Sequence, residues 1–144
     1  MQLIQGSDRN QTYFATLEDN VSADNPVRLI DAFIDKLNLD KLGFTNTVHK
    51  SEGRPPYAPE MLLKLYLYGY LNKIRSSRKL EKECSRNMEL QWLLQSLQPN
   101  YHTIADFRKV HAKPLQSMFK LYLQFPWRCR PFRENNYWYR RKQV

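Results

Sequence analysis

The chain has 144 residues, 42 % of them hydrophobic, which suffices for one buried core and falls short of two, because domains cluster near ~100–150 residues. A formal charge of +9, from 23 Lys and Arg against 14 Asp and Glu, favours a polyanionic partner, since basic proteins gain affinity by releasing counterions from phosphates. Residues 126–144 hold six of the cations and one Glu, a net of +5, so the first 125 residues carry only +4.

Residues 1–24 are polar without a sustained period and read as an extended lead-in, with a short ordered piece expected at Tyr13, Phe14 and Leu17. Asn25-Pro26 then offers an N-cap and a first-turn proline, and Val27, Ile30, Phe33, Ile34 and Leu37 recur at helical spacing, which predicts a helix over 26–38. Gly43 marks a turn, after which Phe44 is expected to return to the core. Ser51 to Tyr57 read as a loop around two prolines. Pro59 opens a helix to about Ile74 whose Met61, Leu62, Leu65, Tyr66, Tyr68, Leu71 and Ile74 wrap more than one face, as in a central, buried helix. Gly69 within it is expected to admit a close neighbour, since a helical glycine costs ~1 kcal/mol relative to alanine. Ser76 or Ser77 caps a helix over 77–86, and Asn87 caps one over 88–97 with Leu90, Leu93, Leu94 and Leu97 inward. Pro99-Asn100 ends it. Thr103 to Asp106 resemble a capping box that opens a last helix toward Phe119 and Leu123, which Pro114 kinks or breaks. With no strand signal before residue 125, the fold class is all-α: a compact bundle of about five helices with a helix-turn-helix-like core over 25–125. Phe33, Leu65, Leu71, Leu94 and Phe107 are the expected core.

Catalytic signals are absent. His49, His102 and His111 lack metal-ligand spacing, no glycine loop cradles phosphate, and Asp31, Asp35, Glu81 and Glu83 read as solvated carboxylates on helix faces. Cys84 and Cys129 have no partner at disulfide or zinc spacing, and Cys84 reads as a small buried residue. No apolar run reaches the ~18 residues of a membrane span, and the start lacks a signal-peptide layout. A cytoplasmic location is expected. The chemistry-bearing stretch is Asn72 to Glu83, where Lys73, Arg75, Arg78, Lys79 and Lys82 surround a helix junction with two serines and a helix N-terminus, all sources of phosphate contacts. A solvated junction supported by an i,i+4 Lys79–Glu83 pair explains the same residues. Tyr66, Tyr68 and Tyr70 read as core or interface residues in preference to a base-stacking platform.

Several unusual segments occur in order: Gly53-Arg54-Pro55-Pro56-Tyr57-Ala58-Pro59, Leu62 to Asn72, Ile74-Arg75-Ser76-Ser77-Arg78-Lys79-Leu80-Glu81 and Thr103-Ile104-Ala105-Asp106-Phe107-Arg108. With Pro26-Val27-Arg28 and Leu42-Gly43-Phe44, they resemble the N-terminal domain of insertion-sequence transposases of the IS1182/IS5 type, over about 25–125. The resemblance implies a helical domain ahead of an RNase H-like catalytic domain that cuts and rejoins DNA with three carboxylates and Mg²⁺. None of those carboxylates can be placed on this chain. The expectation is therefore a non-enzymatic DNA-binding or assembly module with no cofactor of its own. Its partners would be the element's terminal inverted repeats, and full-length transposase or a second copy. Arg54, Lys73, Arg75, Arg78, Lys79, Lys82 and Arg108 would bind the DNA. The alternatives are a module that pairs with full-length transposase through the Leu/Tyr-rich helix and inhibits it, and a pseudogene product without function.

Residues 126–144 abandon the family pattern and any regular period. Read one base later, synonymous codons for this stretch permit PGDAGLFGKTTIGIDGSK, a turn and a β-branched strand ending in an acidic residue, which resembles the first catalytic strand of the family. The tail is thus expected to be a frameshifted, disordered end to a truncated product, with Trp127 and Trp138 unable to bury fully.

Overall fold

The computed structural model describes residues 3–44 and 56–124, and among them every regular element is helical. Seven α-helices follow a 3₁₀ turn at Glu18–Asn20: α1 Val27–Asp35, α2 Leu39–Leu42, α3 Pro59–Leu71, α4 Ser77–Arg86, α5 Met88–Leu93, α6 Tyr101–Val110 and α7 Ala112–Gln124. The all-α class follows, with more and shorter helices than the five expected. Arg54, His49, Cys129, Trp127, Trp138 and the whole 126–144 tail lie outside the described residues.

The central element is α3. From Leu62 to Gly69 every residue is buried, so no solvent stripe exists and the apolar pattern runs around the helix. It packs against α1 and α5, while α4 packs against α5 and α6. Proline at its first position leaves no wasted donor there. Its end comes at Leu71, three residues before the predicted Ile74, because Lys73 turns left-handed at φ 60° and the Ile74 amide bonds back to the Gly69 carbonyl at 2.8 Å. That is a Schellman closure. Leu71, expected in the core, is consequently only half-buried at this frayed end, though it still packs on the cluster.

Gly69 is the point of closest approach. A Cβ there would lie 2.9 Å from both the Ile74 carbonyl oxygen and Leu80 Cδ2, so the glycine admits Leu80 of α4 as the sequence suggested. Leu80 and Cys84 are the buried residues of α4, and burial pushes the Cys84 thiol up to about 11. Gly43 ends α2 in the left-handed region at φ 93°, and Phe44 beyond it is 1 % exposed.

Several local expectations are corrected. Helix α5 stops at Leu93, not 97, because Gln95 and Ser96 both take left-handed dihedrals, and Leu97 faces outward at 38 % exposure. Asn100, not Thr103, caps the next helix: its side chain accepts from the Thr103 amide at 2.9 Å, and the helix begins at Tyr101. The chain then breaks at His111 into α6 and α7, with Pro114 in the first turn of α7, where a missing amide hydrogen is harmless. In the lead-in, Tyr13 and Phe14 are exposed, and the piece that docks is Glu18 to Val21. Glu18 accepts from Trp92 Nε1 at 2.8 Å and pairs with Arg28, whose guanidinium lies 5.0 Å from the Trp92 ring centre. The Trp92 and Arg28 hydrogen bonds hold the Glu18 carboxyl below its ordinary range.

Asp31 and Asp35 also depart from expectation. Both reach from α1 to Lys64 of α3, at 2.6 and 3.0 Å from its Nζ. Lys64 is only 6 % exposed, so these carboxylates satisfy a buried ammonium and are not merely solvated.

Candidate nucleic-acid interface

Residues 72–76 form the turn between α3 and α4, and they place Lys73 and Arg75 in solvent beside the start of α4. Ser76 caps α4 by accepting from the Lys79 amide at 3.4 Å. Because Leu80 and Cys84 point inward, helical periodicity turns Arg78, Lys79, Lys82, Ser85 and Arg86 outward, and all five are exposed. The result is a basic face running about 12 Å along the helix. Glu81 and Glu83 sit at its flanks, half-buried.

The i,i+4 pair Lys79–Glu83 is not formed. Glu83 instead accepts from Arg86 Nε at 2.7 Å and from Asn87 Nδ2 at 3.2 Å, and those hydrogen bonds hold its carboxyl below the ordinary range. Lys79 therefore faces solvent without a carboxylate among the described residues. Arg86, absent from the sequence-based set, belongs to the same face. It follows Lys82 by four residues and Lys79 by seven, a spacing that was legible in advance.

Arg78 has a different environment. Its guanidinium carbon lies 4.8 Å from the centre of the Tyr101 ring at the start of α6, a cation–π contact that ties α4 to its neighbour. Tyr101 was not singled out from sequence, since nothing in the intervening 22 residues says that α4 and α6 pack together. Arg108 is exposed on α6, and its charge lies near the Tyr66 hydroxyl. Five of the expected cations thus share the turn and one helix, Arg108 lies on the helix packed beside them, and Arg54 is outside the described residues.

Among the described residues no group of three or more His, Cys, Asp or Glu is placed to hold a metal ion. His102 is exposed and His111 buried against Phe44 and Phe107. The tyrosines of α3 behave as structural groups: Tyr66 donates to the Ile104 carbonyl, Tyr68 accepts from Asn87 Nδ2, and Tyr70 stacks on Phe119. No helix among the described residues is long and apolar enough to cross a membrane.

Residues 15–110, spanning α1 to α6, match the family model described as Transposase domain (DUF772). The chain belongs to this transposase-domain family. That membership ties it to transposition and, in general terms, to DNA. No curated protein and no solved structure matches it in the corresponding comparisons.

Proposed function

We propose that this transposase domain is a DNA-handling module of an insertion-sequence transposase, of the IS1182/IS5 type in the DDE superfamily, and that it performs no strand cleavage itself. The observation that carries the reading is the basic face of α4 together with Lys73 and Arg75 on the preceding turn. These side chains point to solvent, where they can exchange counterions for the phosphates of an element's terminal repeats. Arg108 extends the surface onto α6.

Pairing with full-length transposase through the Leu/Tyr-rich helix has less support. Leu62 to Gly69 are already enclosed by the chain's own helices, which leaves little of α3 to offer a partner.

The test is a duplex-binding titration across ionic strength. Combined Arg75→Ala, Arg78→Ala and Lys79→Ala should weaken binding and reduce the slope of log K against log salt by roughly one per lost phosphate contact. An unchanged affinity and slope would move the function to protein pairing. Incubation with Mg²⁺ or Mn²⁺ should yield neither nicking nor joining, and reproducible strand transfer would overturn the non-catalytic reading.

A further inference from the structure

We propose that Arg78 reads guanine from the major groove, with Tyr101 as the residue that positions it. This rests on the DNA-handling reading and assigns one side chain a sequence-reading role within it. Arg78 is the second residue of α4, which follows α3 across the 72–76 turn, and in a helix-turn-helix-like docking of this pair the N-terminal residues of the second helix would meet the base edges. Lys73 and Arg75 lie on the turn before α4, and Lys79 and Lys82 at later positions on the helix. Arg78 is seated against an aromatic ring, 4.8 Å from the centre of Tyr101.

The cation–π contact seats the guanidinium against the ring. Arg78 makes no hydrogen bond or ion pair among the described residues, so its in-plane N–H groups remain available. Those groups match the O6 and N7 acceptors of guanine, which present a bidentate target only in the major groove. The ring also limits the rotamers Arg78 loses on docking, which is what separates a base-reading side chain from a mobile phosphate contact. Tyr101 is itself fixed at the first position of α6, directly after the Asn100 cap. Charge complementarity commits the α4 face to a nucleic-acid duplex, and a 10-residue helix fits the B-form major groove, whereas the deep, narrow major groove of A-form RNA excludes it.

The experiment selects preferred sites from a randomised 20-base-pair duplex library with the full chain, then measures each variant against the selected site and its single-base changes. Arg78→Lys and Tyr101→Ala should each lose roughly tenfold discrimination at one guanine position, measured as the ratio of affinities for the selected site and its single-base change, so that any uniform loss of phosphate contact cancels. Tyr101→Phe, which retains the ring face, should keep the discrimination. Lys79→Ala should weaken all duplexes equally. If the library yields a site whose discrimination survives both Arg78→Lys and Tyr101→Ala, the assignment of Arg78 is wrong although DNA handling stands. If the unmodified chain binds no duplex at low salt, the DNA reading fails and this proposal fails with it. Circular dichroism on each variant separates either result from misfolding.

Discussion

A methyl group on Gly69 would meet the Ile74 carbonyl oxygen and Leu80 Cδ2, both at 2.9 Å, and the carbonyl belongs to backbone that cannot swing aside. Gly69→Ala should therefore destabilise the domain by about 1–3 kcal/mol, reversing the gain of up to ~1 kcal/mol that alanine brings to an open helical site. Urea unfolding measures the sign directly. Lys64 tests another single-residue dependence. Its removal as Lys64→Ala would leave Asp31 and Asp35 facing each other without the buried ammonium, at a cost of roughly 2 kcal/mol given that both carboxylates remain partly hydrated. Burial alone lowers the Lys64 pKa, but the hydrogen bonds that its ammonium donates to Asp31 and Asp35 outweigh it and raise the value above 10.5. Burial raises the Tyr66 and Tyr68 hydroxyls to about 12. A pKa raised on folding contributes stability that is complete below the unfolded value and is lost as pH climbs through the folded one. All three groups therefore weaken the fold in the same direction. Helicity followed by circular dichroism should fall cooperatively between pH 10 and pH 12, and the double variant Tyr66→Phe, Tyr68→Phe should show a shallower decline over that window. An identical decline in the double variant would place the alkaline sensitivity elsewhere.

At the scale of the element, caps decided where sequence reasoning succeeded. The starts of α4 and α5 were legible because Ser76 and Asn87 stand immediately before apolar periods, and both accept the expected backbone hydrogen bonds. The start of α6 was not, because two plausible caps lie three residues apart. Asn100 and Thr103 each have the chemistry, and only the backbone decides. Asn100 is extended, at φ −77° and ψ 164°, while Thr103 is already helical and its hydroxyl donates to Asn100. Asn100→Ala should accordingly cost about 1 kcal/mol and Thr103→Ala clearly less, as chemical denaturation of the two variants can show. Equal losses would restore Thr103 as a cap. The ends of α3 and α5 were misjudged for a related reason. Lys73, Gln95 and Ser96 all take positive φ without being glycine, so no residue type announces the stop. The candidate interface divides along the same line. The cations from Lys73 to Lys82 were visible as a run in sequence, and Arg86 follows from periodicity. The Arg78–Tyr101 contact depends on tertiary packing of α4 against α6, which no local pattern encodes.

For the molecule as a whole, the described core runs from Val21 to Tyr122. Tyr122 in the last turn of α7 meets Phe33 of α1 edge to face, with ring centres 5.1 Å apart, so the helices close on one another before residue 125. Deleting 126–144 should then leave unfolding free energy within about 0.5 kcal/mol of the intact chain, the range of changes that touch no buried feature. The same deletion lowers the formal charge from +9 to +4, so it should weaken duplex binding generally and reduce the salt slope, while the guanine preference assigned to α4 persists. A loss of more than about 1 kcal/mol on deletion would show that the tail packs on the domain. Its origin is a separate question with its own measurement. If the tail is a shifted frame, the nucleotide sequence read one base later from codon 126 should encode the turn and strand that synonymous codons permit, and continue into a domain bearing the family's carboxylates. If that frame stops or encodes unrelated sequence, the frameshift reading is wrong, and the six cations of 126–144 become a nucleic-acid arm that acts beside α4.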